Sequence, residues 1–437
     1  MMVMTPNRGP SLRAMLSALG LSLVVAVGIV LRFAYPDDIE WKWDENWTFE
    51  HAQQIVVGGA WPWLGMPSSV NVPNPGLSLW VFAGLFSIFH VKTPPELAQA
   101  VQSLNAAALV AFVILAYAAI PKDRREPWLW AAAMWAVNPV AVIYERKIWA
   151  QSVLPIASVA FIAAWYFRRF AAAAFAWGLL GALMAQVHMS AAFFALAVAA
   201  WTLVHDRTAF PWKSWLAGSV VGALPALPWL FEVQSQHGGT SFGVRPPNFS
   251  FFTRWPWQPF GFGIEHMLGP AHMHMLDYLT GPPLAGHPTY LMALVHVVLA
   301  GVVLVVLVQA IRVIRADGWP SAREVFLGTK PETLLITAAF WGYGGLLTLF
   351  TLFGSQSRRH FLIVVAPILA LWAVLAVIYG DRTVGHSRAR TMLIVLCLGQ
   401  AVLSAGLLSY IHRTAIIKGE FGPTWRAQQP GFVATKP

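Results

Sequence analysis

Two neighbouring acids lie in an aromatic stretch directly after the first strongly apolar segment. The sequence "WKWDENWTFE", residues 41–50, surrounds Asp44 and Glu45 with four aromatic side chains. A carboxylate in such a place can accept the proton of a reacting hydroxyl group. The pattern also predicts a helix over 44–57, ended by Gly58, and an acid at a helix start is compatible with the helix dipole. A catalytic role and a structural role are therefore both open for this pair.

Two turns in otherwise apolar sequence supply the opposite charge. The turns "YERKIWAQ" and "SQSRRHF" carry Glu145, Arg146, Lys147, Arg358, Arg359 and His360. Arginine forks suit phosphate, although basic residues at a membrane boundary also snorkel towards lipid phosphates. An acid that takes a proton, opposite guanidinium groups that hold a phosphate, would suit transfer from a phosphate-activated lipid donor.

The composition is that of an all-α polytopic membrane protein. The chain has 437 residues, of which 57% are hydrophobic and 11% charged, and the one cysteine excludes an intrachain disulfide or a thiolate metal cluster. Apolar segments long enough to cross a membrane number about eleven at about 20 residues per crossing. They lie near 14–34, 97–120, 127–144, 150–167, 171–188, 190–205, 214–231, 289–311, 332–353, 361–379 and 391–411. We interpret 14–34 as a retained span, and the shorter apolar run 75–89 as an interfacial helix.

The distribution of basic residues predicts the orientation of these spans. With eleven crossings and the N-terminus inside, 16 of the 29 Lys and Arg residues lie on the cytoplasmic side, which fits the positive-inside rule. We therefore expect one transmembrane domain over 1–411, with outer loops at 35–96 and 232–288 and an outward-facing tail at 412–437. This topology accounts for the high isoelectric point of about 9.9, so no nucleic-acid partner is expected.

Histidines in and near the outer loops are candidate ligands. Glu265, His266, His272 and His274 could bind a divalent metal, because zinc favours imidazole and carboxylate groups and Mg²⁺ or Mn²⁺ favours carboxylate. Their spacing matches no standard zinc motif, and the predicted chemistry requires no cofactor. His188, in "QVHMS", lies at an outer membrane edge, where a hydrogen-bonded packing role and a binding role are equally open.

Several of these stretches together resemble a known family. They are "WDENW", "GMPSSVNVPNPGLSLW", "NPVAVIYERKIWAQSVLP", "QVHMS" and "RRHFLIVVAP", in this order from the first span to about the tenth. In this order and spacing the chain resembles the GT-C membrane glycosyltransferases, and within them the bacterial family 39 proteins, similar to the dolichyl-phosphate-mannose protein mannosyltransferases.

The resemblance implies a fold and a site. The fold would be of the GT-C type, with about eleven transmembrane helices and interfacial helices in the first outer loop. Asp44 matches the catalytic aspartate of the family and Glu45 its acidic neighbour. The residues that would contact the lipid phosphate or the donor sugar are Glu145, Arg146, Lys147, His188, Arg358, Arg359 and His360. Where many relatives carry an acid, this chain has Gln151, so a second carboxylate would come from Glu145 or be missing.

The function implied is a glycosyltransferase of the bacterial cytoplasmic (inner) membrane, with its site on the outer face. The enzyme would transfer a hexose or pentose from a polyprenyl-phosphate donor to a hydroxyl acceptor, with inversion at the anomeric carbon. Asp44 would act as the general base. The acceptor, a protein, a lipid or a glycan, is open. A transporter or lipid flippase is the alternative from another class, but the charge gathers at one membrane face rather than at mid-span. A ligase of lipid-linked glycans is a nearer alternative.

Overall fold

The computed structural model describes residues 12–67, 72–206, 210–236, 245–269, 274–319, 330–355, 357–380 and 386–433. In these ranges the chain is helical, with isolated β-bridges in place of strands. The first helices are α1 (Leu12–Phe33), α2 (Trp43–Val56), α3 (Leu77–Phe89), α4 (Pro94–Ala119), α5 (Arg125–Val137), α6 (Pro139–Tyr144), α7 (Leu154–Tyr166), α8 (Ala171–Val187) and α9 (Ser190–Asp206). The later ones are α10 (Trp212–Ala223), α11 (Leu227–Gln236), α12 (Ser250–Arg254), α13 (Glu265–Leu268), α14 (Leu276–Thr280), α15 (Leu291–Asp317), α16 (Pro331–Thr337), α17 (Gly344–Phe350), α18 (Ala366–Gly380) and α19 (His386–Thr414).

Many of these helices are long and apolar enough to cross a membrane. In the described residues six segments meet this description, namely Pro94–Ala119, Trp212–Gln234, Leu291–Asp317, Pro331–Phe353, Arg359–Tyr379 and Ser387–Thr414. Shorter apolar helices, among them α7, α8 and α9, lie between them. The chain is therefore an integral membrane protein of the all-α class, as the composition predicts, and the number of about eleven crossings stays a prediction.

Helix α5 lies at the centre of the bundle. It packs against α1, α4 and α18, and its Trp128, Met134 and Trp135 are all buried. A helix that is apolar on every side belongs in such a position. It ends at Asn138, whose side chain accepts hydrogen bonds from the first backbone amides of α6 and so starts that helix. The break brings the turn at 145–149 to one end of the bundle.

Charged residues gather at the two ends of the bundle. At one end Arg390 pairs with Glu126 at 2.6 Å, and Arg124 pairs with Glu332. At the other end Arg426 pairs with Asp38, with 2.7 Å between Nε and Oδ1. The loops assigned from the sequence to opposite sides of the membrane thus group at opposite ends. Which end faces outward stays a prediction.

Candidate active site

Helix α2 fixes the position of the acidic pair, and it begins within one residue of the predicted start. Phe49, Ala52 and Ile55 form its buried side, and the Phe49 ring lies 5.1 Å from that of Phe86 in α3. Asp44 and Thr48 are one helical turn apart, so they share another face. That face lines a cavity.

The cavity at Asp44 has a volume of about 360 Å³. Its apolar wall includes Leu79, Phe82 and Phe193. The polar side chains that matter here are Asp44, Asn74, Gln151, His188, Arg358 and Glu420. They come from six separate parts of the chain, and a pocket that is mostly apolar with a few convergent polar groups is the usual form of a ligand site.

The Asp44 carboxylate is open to this cavity. It is half-buried, and no hydrogen bond or ion pair from the described residues occupies it. Lys42 lies near enough for its ammonium charge to interact with the carboxylate. A carboxylate that is oriented by its helix but left without a donor can accept a proton from a bound molecule.

Glu45 has a different environment from its neighbour. It is fully buried, and its Oε2 accepts a hydrogen bond of 3.0 Å from the Lys42 amide, which caps α2. Burial raises the pKa of Glu45 to about 8, the negative charge of Glu40 adds to this, and Lys147 opposes it. Glu45 is therefore mostly protonated at neutral pH and is a poor base.

Lys147 lies close to the buried acids Glu40 and Glu45. Its ammonium group pairs with the buried Glu40 and lies 4.1 Å from the centre of the Trp149 ring. Trp149 itself lines the Asp44 cavity. Lys147 thus lies behind the wall of the cavity, and its charge is balanced by Glu40.

Glu145 and Arg146 point into the helix bundle. The Arg146 guanidinium donates to the carbonyls of Leu31, Arg32 and Tyr35 at 2.9 to 3.0 Å, at the C-terminal end of α1. Glu145 accepts from Arg32 Nε at 2.8 Å, and from a tryptophan of α5 at 2.7 Å. Neither residue is among those that line the Asp44 cavity. Their observed contacts tie α1 to the α5–α6 break.

The turn before α18 sends its side chains to different places. Arg358 and His360 line the Asp44 cavity, and Arg358 is exposed. Arg359 lines a second cavity, where it donates to the Gly263 carbonyl at 2.9 Å and to Glu265 at 3.0 Å. Two arginines that are neighbours in sequence therefore line two different cavities.

His188 and Gln151 form a pair on the cavity wall. The Nε2 atom of His188 lies 2.7 Å from the Gln151 amide, and Nδ1 lies 2.7 Å from the Ser190 hydroxyl. Both ring nitrogens of His188 therefore have polar partners on the cavity wall. Gln151 thus lines the cavity as well.

The second cavity is lined by polar groups on one part and by an apolar helix on another. Its volume is about 720 Å³, and Arg254, Arg359 and His266 line one part of it. Val303 and Leu304 of α15 line another part, and the Leu304 side chain is 61% exposed. Arg254 was not predicted as a site residue.

A third space, called the connecting space below, shares lining residues with both cavities. It measures about 460 Å³, shares Glu420 with the Asp44 cavity, and shares Glu265 and His266 with the second cavity. Glu420 was also absent from the predicted site. It belongs to a tail far along the chain from Asp44, so no local pattern links the two.

In the described residues two of the predicted metal ligands lie close together, with 3.9 Å between His266 Nε2 and Glu265 Oε1, and His274 lies apart with other partners. His274 Nδ1 lies 3.0 Å from the Tyr410 hydroxyl, and its Nε2 accepts from the Lys418 amide at 3.0 Å. Glu265 is paired with an arginine, as described above. His272 lies outside the described residues, and within them no group of three His, Cys, Asp or Glu side chains could hold a metal. A metal centre stays a prediction.

Comparison with known proteins gives the fold. No family model and no curated protein matches the sequence. Among solved structures, ArnT from Cupriavidus metallidurans in the apo state matches with a TM-score of 0.52 and 13% identity, over 91% of this chain and 77% of that one. The Archaeoglobus fulgidus oligosaccharyltransferase in the apo form matches with a TM-score of 0.43 and 12% identity, over 95% of this chain and 58% of that one.

The chain therefore has the GT-C fold, and the fold class expected from the sequence is confirmed. Membership of family 39 and the assignment of domains and site residues stay predictions.

Proposed function

We propose that the protein is a glycosyltransferase that moves a sugar from a polyprenyl-phosphate donor to a hydroxyl acceptor. The observation that carries this proposal is the pairing of two cavities: one contains an unengaged Asp44 with Arg358, and the other lies between arginines and an apolar helix. We place the site at the outer face of a bacterial cytoplasmic membrane, on the strength of the distribution of basic residues.

The second cavity suits the lipid part of the donor. Guanidinium groups of Arg254 and Arg359 can hold a phosphate through paired hydrogen bonds. The exposed leucines of α15 offer an apolar surface on which a polyprenyl chain can lie within the membrane. The connecting space then leads from the phosphate towards Asp44.

The reaction follows from these positions. As the acceptor oxygen attacks the anomeric carbon, its proton passes to the Asp44 carboxylate. The new carbon–oxygen bond forms while the bond between the anomeric carbon and the phosphate oxygen breaks, and the polyprenyl phosphate leaves with the bonding electrons. Arg358, with Arg254 or Arg359, stabilises the negative charge that grows on the phosphate. Direct displacement inverts the anomeric centre, so a β-linked donor gives an α-linked product.

The test is turnover of a panel of radiolabelled polyprenyl-phosphate sugars by the purified protein in lipid. Wild type should release polyprenyl phosphate from at least one donor, and Asp44→Asn should lower that rate by about 10² to 10⁴, the usual range for loss of a general base. Donor affinity should change little. Asp37→Asn is the matched control, because Asp37 is exposed on the loop before α2, and it should keep the wild-type rate.

Two outcomes would contradict the proposal. Equal rates for wild type and Asp44→Asn would remove Asp44 from the chemistry. A wild-type protein that neither binds nor turns over any polyprenyl-phosphate sugar would remove the donor class itself.

A further inference from the structure

The C-terminal tail is built into the end of the bundle that carries the cavities. Thr424 forms a β-bridge with Glu40, and the Trp425 amide donates to the Ile39 carbonyl at 2.9 Å. The paired Arg426 and Asp38 hold the same segment to the loop before α2. The tail is thus fixed to the chain segment that leads into Asp44.

A close backbone approach fixes the tail on its other side. The Glu420 amide donates to the His266 carbonyl at 3.1 Å, and the Phe421 amide donates to the Met267 carbonyl at 3.2 Å. A Cβ atom at Gly419 would lie 2.3 Å from the backbone at Met267 and Gly269, so only glycine fits there. Phe421 is buried. The backbone on both sides of Glu420 is therefore held in place, which fixes the direction of its Cα–Cβ bond.

Glu420 is shared by two of the cavities. It lines both the Asp44 cavity and the connecting space. Among the described residues its only hydrogen-bond donor is the Tyr144 hydroxyl, at 3.4 Å, while Lys42 donates to the backbone carbonyl of Glu420 instead. An ionised carboxylate has about four acceptor positions, so most of this capacity is free for a bound molecule.

The charged groups around Glu420 favour one kind of ligand. Arginines that would hold the donor phosphate lie on one side of Glu420 and the proposed base lies on the other. A second anion would be repelled there, whereas sugar hydroxyls are hydrogen-bond donors that a carboxylate accepts well. Glu145, the second acid expected from the sequence, is engaged by Arg32 and is absent from the cavity lining.

We propose that Glu420 is a sugar-binding residue, which accepts hydrogen bonds from hydroxyl groups of the sugar being transferred. This inference rests on the proposed function, because it takes the donor to be a polyprenyl-phosphate sugar. Glu420 would position the anomeric carbon between the Asp44 carboxylate and the phosphate, and would contribute to the choice of sugar.

The experiment compares two probes in the absence of acceptor. A sugar-bearing polyprenyl phosphate, chosen from a panel, and the sugar-free polyprenyl phosphate of the same chain length are bound to the full-length protein in lipid. Glu420→Gln should weaken binding of the sugar-bearing lipid by about tenfold, as expected for loss of a charged hydrogen bond, and should leave the sugar-free lipid unchanged. Glu50→Gln, at an exposed position of α2, is the matched control.

The outcomes separate this inference from the proposed function. An unchanged ratio of the two affinities in Glu420→Gln, or an equal loss for both lipids, would overturn the role of Glu420 while leaving donor binding by wild type intact. Failure of wild type to bind either lipid would overturn both proposals. Should Glu420→Gln not fold, Glu420→Asp keeps the charge with a shorter side chain, and it should still weaken only the sugar-bearing lipid by at least threefold.

Discussion

Two charged turns of this protein are similar in sequence but make different contacts in the structure. The turn at Glu145 and Arg146 sends its charges inward, where they cap α1 and pair with Arg32. The turn at Arg358 and Arg359 leaves its charges at the walls of cavities. A charged turn at the end of this bundle can thus either bind a helix end or line a cavity, and contacts with residues far along the chain decide between the two.

The largest effect should come from the inward turn. Glu145→Ala leaves the fully buried Arg32 guanidinium without its carboxylate partner, which should cost about 3 to 5 kcal/mol of stability. The apparent melting temperature in detergent checks this. Replacing both Arg32 and Glu145 by methionine should recover much of the loss, because no buried charge is then left unpaired. If Glu145→Ala were as stable as wild type, the turn at Glu145 would not have the structural role described here.

One variant in each turn separates stability from donor binding. Arg358→Ala removes an exposed guanidinium, so its stability should stay within about 0.5 kcal/mol of wild type, while the KM for the lipid donor should rise about tenfold. Arg146→Ala should do the reverse, lowering the melting temperature while the folded fraction keeps its donor affinity. Thermal unfolding and donor titration on the same samples check both. A donor defect in Arg146→Ala without loss of stability would reverse the assignment of the turns.

The sequence predicted more of the fold than of the site. The apolar runs predicted the helices, the acids predicted the start of α2, and the following glycine predicted its end, since these signals are local. It did not predict that Arg146 turns towards α1, that Arg358 and Arg359 diverge, or that Glu420 reaches the cavity. Each of these depends on residues far apart in the chain, and a single sequence holds no record of such contacts.

A further effect concerns the pH dependence of stability. The folded-state pKa of Glu45 is raised from 4.5 to about 8 by burial, so the folded protein binds more protons than the unfolded chain between these values. The stability contributed by protonated Glu45 is full below pH 4.5 and is lost as the pH rises through about 8. Melting temperatures across this range should fall less in Glu45→Gln than in wild type. Identical pH profiles would show that Glu45 is not buried as described.

The most direct test of the central claim is the rate of a single turnover with bound donor. If Asp44 is the general base, Asp44→Asn should lower this rate by about 10² to 10⁴ while donor binding is kept. The Asp37→Asn control should keep the wild-type rate. The same single-turnover rate in wild type and in Asp44→Asn would contradict the account, because another group would then be removing the proton.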